Sequence, residues 1–116
     1  MSKPNEHRKH VRIYRNFILS YHPLSNPLQQ KSVSQINNIS AGGMNFSVSE
    51  PLQAGEMVEI ELKTPFIADN LCLQGAVLEC REKISDLIYE VRVQFKDIPA
   101  HAKEILAKVE QYAKES

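Results

Sequence analysis

A chain of 116 residues suffices for one domain with its own core and leaves little room for a second. Its 42% hydrophobic and 24% charged residues fit a folded globular domain rather than a disordered one, and no apolar stretch approaches the roughly 20 residues that cross a bilayer. Formal charge sums to zero, yet Lys3, Arg8, Lys9, Arg12 and Arg15 against Glu6 leave residues 1–16 with four net positive charges and the remainder with four negative, a distribution suited to a compact anion and unlike the broad basic face of a nucleic-acid binder.

The start, Met1 to His10, is polar and basic without the apolar run of a signal peptide, so a cytoplasmic location without membrane insertion is expected. Residues 1–12 read as a basic arm and residues 13–116 as one folded body. Ile13 to Tyr21, rich in aromatic and β-branched residues, is predicted as the first strand, ending at the turn-forming His22-Pro23-Leu24-Ser25-Asn26-Pro27. Lys31 to Ile36 is the second strand, followed by a turn over Asn37 to Gly43. Met44, Phe46 and Val48 then alternate with Asn45 and Ser47, the period of a half-buried strand.

Met57 to Leu62 shows the same alternation, with Val58, Ile60 and Leu62 against Glu59 and Glu61. Leu71 to Arg81 is the fifth strand, with a bulge or close backbone approach expected at Gly75. Ile88 to Phe95 is the sixth. From Pro99 the period changes: Ala102, Ile105, Leu106, Val109, Tyr112 and Ala113 recur at intervals of three and four, predicting an amphipathic helix. Six short antiparallel strands are most comfortable closed into a barrel, which removes sheet edges, with the helix at one end.

Two cysteines, Cys72 and Cys80, are too few for a disulfide scaffold. On one extended segment they would stand about 26 Å apart, beyond the roughly 7 Å a disulfide allows. His7, His10, His22 and His101 have no acidic neighbours at metal-ligand spacing, so no metal is expected. There is no G-x-S-x-G elbow and no glycine-rich phosphate loop, so neither catalysis nor a cofactor is expected.

Two short motifs remain. Arg8 and Arg12 are four positions apart at the edge of the first strand, where both could reach one anion. A guanidinium fork matches phosphate, stacks on flat rings and pairs with the O6/N7 edge of guanine. Asn38-Ile39-Ser40-Ala41-Gly42-Gly43 follows about thirty residues later. Asn38 and Ser40 bracket one residue and, in extended backbone, emerge on one face toward a planar base edge. Gly42 and Gly43 permit positive φ and close approach of a ligand.

R-x-x-x-R followed by N-x-S-x-x-G, short strands and a terminal helix resembles the PilZ domain family, from about Glu6 to Tyr112. The resemblance implies a bacterial, non-enzymatic receptor built as a six-stranded barrel. Its arginine arm would fold over the barrel and clamp cyclic di-GMP, changing conformation and signalling through a partner protein. By position, Arg8 and Arg12 would contact phosphates and guanine, Asn38, Ser40 and Gly43 would line the guanine site, and Gly42 would shape the turn. His7, where the family often has arginine or an apolar residue, is tied to how many ligands bind. The alternative is a PilZ-like protein-interaction module without nucleotide. A nucleic-acid-binding barrel is disfavoured, since no aromatic platform accompanies the arginines.

Overall fold

The computed structural model describes residues 16–33 and 35–115. Seven strands are β1 (Ile18–Pro23), β2 (Lys31–Ser32), β3 (Gln35–Ile39), β4 (Gly43–Val48), β5 (Met57–Lys63), β6 (Leu71–Ile84) and β7 (Ile88–Lys96), followed by helix α1 (Ala100–Glu115). They form one antiparallel sheet in the order β2-β1-β5-β6-β7-β4-β3, curled into a half-barrel. The expected architecture, antiparallel β with a terminal helix, is therefore present, with seven strands in place of six.

The extra strand arises where one was expected over Lys31 to Ile36. That stretch divides into β2, paired with β1, and β3, paired with β4, at the two ends of the strand order. The turn expected over Asn37 to Gly43 is correspondingly shorter, because Asn37 to Ile39 continue β3. A bulge there explains why the period did not reveal it: Ile36 and Ile39 both face the core, three residues apart, where unbroken alternation would need two or four.

Elsewhere alternation and register agree. Leu19 and Tyr21 of β1 lie opposite Leu62 and Ile60 of β5, all buried, while Ser20 and His22 lie opposite Glu61 and Glu59 on the outside. Met44 and Phe46 of β4 face inward opposite Val93 and Val91 of β7. The two halves of the sheet meet inside the curl, where the Tyr21 and Phe46 rings pack with centroids 5.8 Å apart. Burial, reinforced by Glu50 and Glu56, pushes the Tyr21 phenol up to about 12, so it stays neutral at physiological pH.

Helix α1 begins after Pro99, whose carbonyl accepts the Lys103 N–H at 3.0 Å. Pro99 lacks an N–H that such a terminus would leave unpaired, which suits it to this place. Ala102, Leu106 and Val109 bury one stripe against the core. Tyr112, on the apolar stripe of the predicted helix, is only partly covered. It stacks on Phe17 at 6.1 Å and meets Phe66 edge-on at 5.6 Å, closing the gap between the start of β1, the β5–β6 loop and the helix.

Candidate ligand site

A cleft of about 360 Å³ opens on the outer face of the sheet, built by a row of residues that crosses four strands. At its centre Asn45 of β4 lies directly opposite Arg92 of β7. On the β3 side the bulge sets Asn37 and Asn38 against Asn45. On the β6 side a second register shift, between Val77 and Glu79, sets Leu78 and Glu79 against Arg92. Each bulge turns an additional side chain outward on its strand, so two bulges flanking one β4–β7 pair concentrate side chains where a regular sheet would hold only four. Of the two alternatives expected at Gly75, a bulge or a close approach, it is not the bulge, which falls between Val77 and Glu79. The close approach expected at Gly75 is present, since a Cβ there would collide with the Val93 side chain.

The second motif closes one end of this row. Asn38 is exposed at the end of β3, Ile39 is buried, and Ser40 is half-buried, so Asn38 and Ser40 share the outer side as expected and both line the cleft. The Ser40 hydroxyl accepts the N–H groups of Gly42 and Gly43, each at 3.3 Å, and lies 3.2 Å from the Gly43 carbonyl, to which it donates. The Ser40 N–H also donates to the Gly43 carbonyl, at 2.9 Å. Serine thereby mimics a backbone turn and holds the loop in shape. The Ala41 N–H donates to Glu110 Oε1 of α1 at 3.1 Å, tying this turn to the terminal helix.

The positive φ that these glycines permit is not used. Neither Gly42 nor Gly43 has positive φ; Gly55 is the one glycine among the described residues that does. Gly43 instead permits tight pairing of β4 with β7, because a Cβ would collide with the Val93 carbonyl oxygen. Gly42 has open space around it, and its carbonyl accepts the Phe95 N–H at 2.9 Å.

Of the expected site residues, the fold brings Asn38, Ser40, Gly42 and Gly43 together at this cleft. His7, Arg8 and Arg12 lie outside the described residues. Sequence reasoning did not assign Met44, Asn45, Leu78, Arg92, Val93 and Gln94 to the site, and they complete the lining. The alternation of β4 and β7 does mark Asn45, Arg92 and Gln94 as outward-facing, but not as neighbours of the motif; Leu78 follows the buried Val77 and stands on the outer side in phase, 48% exposed, and the bulge brings Glu79 out beside it. Arg92 donates from Nη1 to Glu79 Oε1 at 3.3 Å, and Arg81 Nε takes the other carboxylate oxygen at 3.0 Å. The lining thus offers amide groups, an apolar side chain and a guanidinium, a set that suits a flat heterocycle with hydrogen-bonding edges better than bond-breaking chemistry.

The profile of the PilZ domain family matches residues 6–111. The chain belongs to the PilZ domain family. Among solved structures, the Bacillus subtilis Inhibitor of motility (MotI/DgrA) is similar over 85% of this chain, with a TM-score of 0.64 and 17% sequence identity. The match covers 46% of that protein, so this chain spans about half its length, and the likeness at that identity is one of fold. No curated protein sequence matches. In PilZ terms, the second motif, Asn38 to Gly43, runs from the end of β3 through the turn to the start of β4 and borders the cleft, while the first, Arg8 and Arg12, precedes β1 in the chain. No helix among the described residues is long and apolar enough to cross a membrane.

Proposed function

We propose that this PilZ domain is a cytoplasmic, non-enzymatic receptor for cyclic di-GMP that passes the signal to a partner protein. The observation that carries the reading is the convergence of Asn38, Ser40 and Gly43 on one amide-lined cleft, in a chain whose other family motif supplies two arginines. Ligand pockets commonly run from about 300 to 1,000 Å³, so a cleft at the lower end holds part of a dinucleotide and leaves the rest for the arm to cover. Arg8 and Arg12 stand nine and five residues before the buried Phe17. At about 3.4 Å per residue, nine residues of extended chain would reach up to roughly 30 Å from that anchor.

In this reading Arg8 and Arg12 hold the phosphates and guanine, while the Ser40 turn and Asn38 receive a guanine edge. Gly43 keeps the backbone close, and Gly42 is a neutral part of the turn. The Ala41–Glu110 contact gives a route from the bound base to α1, so ligand binding would alter the helix a partner sees. Titrating the purified chain with cyclic di-GMP in a calorimeter tests the proposal. One saturable binding isotherm is expected, and Arg8→Ala and Arg12→Ala should each weaken it by about tenfold to a hundredfold while leaving the melting temperature unchanged. A folded protein that gives no binding heat at any concentration would reduce it to an interaction module without nucleotide.

A further inference from the structure

Among the described residues lining the cleft, Arg92 is the only charged side chain. It is also mounted differently from Arg8 and Arg12. Those precede the barrel, whereas Arg92 stands on β7, hydrogen-bonded between β6 and β4 in the interior of the strand order. Its place relative to Asn38, Asn45 and Gln94 is therefore set by the sheet before any ligand arrives.

Arg92 is held lightly. One Nη1–Oε1 hydrogen bond of 3.3 Å joins it to Glu79, and its side chain is 57% exposed. A guanidinium has five N–H donors, so most of this fork is uncommitted to Glu79. Glu79 would not be stranded if Arg92 turned away, because Arg81 already holds its other oxygen at 3.0 Å. An exposed ion pair favours the closed arrangement by about fivefold at most. A bidentate guanidinium contact to guanine O6 and N7 discriminates by about five- to 150-fold. An ion pair this weak does not bar Arg92 from turning to a base.

We infer that Arg92 is a specificity-determining residue that reads the O6/N7 edge of a guanine seated in this cleft, with Glu79 holding it in reserve until the base arrives; this rests on the reading of the cleft as a cyclic di-GMP site. The choice of base edge over phosphate follows from the surroundings. The side chains beside Arg92 in the cleft are the amides of Asn45 and Gln94 and the apolar Leu78, which suit a flat ring and supply no second cation for a phosphate. Guanine presents two acceptors on one edge, where adenine presents an acceptor and an amino donor. That amino group would confront the guanidinium donor to donor, so Arg92 favours a guanine over an adenine ring at this position.

The test compares cyclic di-GMP with cyclic di-AMP on the full chain, using calorimetry or equilibrium dialysis, with melting curves as a check on folding. Arg92→Ala should weaken cyclic di-GMP binding by about five- to 150-fold. Arg92→Lys should lose nearly as much, since it keeps the charge but not the fork. Arg92→Gln, which supplies the pairing geometry for adenine, should narrow the preference for cyclic di-GMP by about tenfold or more. Glu79→Gln should tighten cyclic di-GMP binding by up to about fivefold by releasing the guanidinium. Unchanged affinity in Arg92→Ala, full affinity in Arg92→Lys, or equal losses for both dinucleotides would each overturn the inference while leaving cyclic di-GMP binding in place. A folded, unsubstituted chain that binds no cyclic di-GMP removes the underlying reading and this inference with it.

Discussion

β1, β5 and the first half of β6 pair through six consecutive positions on each side without a register shift, whereas β3 takes up one extra residue against β4 and β6 takes up two against β7. The outer faces differ accordingly. On the regular side, Ser20, Glu61 and Cys72 align across three strands, with His22, Glu59 and Gln74 in the next row, around a shallow cleft of about 180 Å³. Glu61 is held below the usual carboxylate range by the amides of Asn70 and Gln30, at 3.0 and 3.1 Å, which favours the charged form and keeps this face negative. On the bulged side the cleft carries amides and one guanidinium. Regular pairing presents side chains in even rows, while paired bulges crowd them, and only the crowded face brings the PilZ motif and a cation together.

The strongest way to break this comparison is to remove what holds the two sides to one core. Phe46 is fully buried and touches Tyr21 across the curl. Phe46→Ala should cost about 3–5 kcal/mol, read as a drop in the urea midpoint, and should loosen both faces together. Loss confined to the cleft side, seen by amide exchange, would show that the halves are independent.

A smaller effect sharpens the account of the bulged side. Gly43→Ala forces a Cβ against the Val93 carbonyl and should destabilise the fold by about 1–3 kcal/mol. Gly42→Ala, one residue earlier and in open space without positive φ, should stay within about 0.5 kcal/mol of the unsubstituted chain. Equal losses in chemical melts would show that the turn needs glycine for its own conformation instead of for pairing with β7.

The smallest effect belongs to the regular side. Burial, with Glu61 and Glu59 adding, pushes the Cys72 thiol up from its ordinary value. A raised pKa leaves less thiolate at a given pH, so Cys72 should react with iodoacetamide more slowly than a free cysteine between about pH 8 and 9. Glu61→Gln should remove part of the shift and speed the reaction by a few-fold. No change in rate would show that the acidic row does not reach the thiol. Mapping the modified peptide separates Cys72 from Cys80, which lies further along β6 and accepts the Leu52 N–H at 3.5 Å.

Much of the fold was legible because regular strands report burial through a period of two. Val58, Ile60 and Leu62, or Met44, Phe46 and Val48, announce both the strand and its inner face, and all six are buried. The helix was legible for the matching reason, from Ala102, Leu106 and Val109. Legibility failed where a strand carried an extra residue. Asn37 erased the period of β3 and made a strand look like a turn, and on β6 a bulge brought Glu79 to the outer side beside Leu78, which no local period announces.

The candidate site divides along the same line. By itself the sequence determined the family motifs, the β-rich class with a terminal helix, and the uneven charge between residues 1–16 and the rest, because these depend on residue type and near-neighbour spacing. Tertiary structure decided that Asn45, Arg92 and Leu78 stand beside Asn38 and Ser40, that Ser40 spends its hydroxyl on the turn, and that Gly43 is required by Val93 fifty residues later in the chain. Those relations are set by strand order and register, which pair β4 with β7 and β7 with β6, and no local pattern in the sequence encodes which strands will meet or where a bulge will absorb a residue.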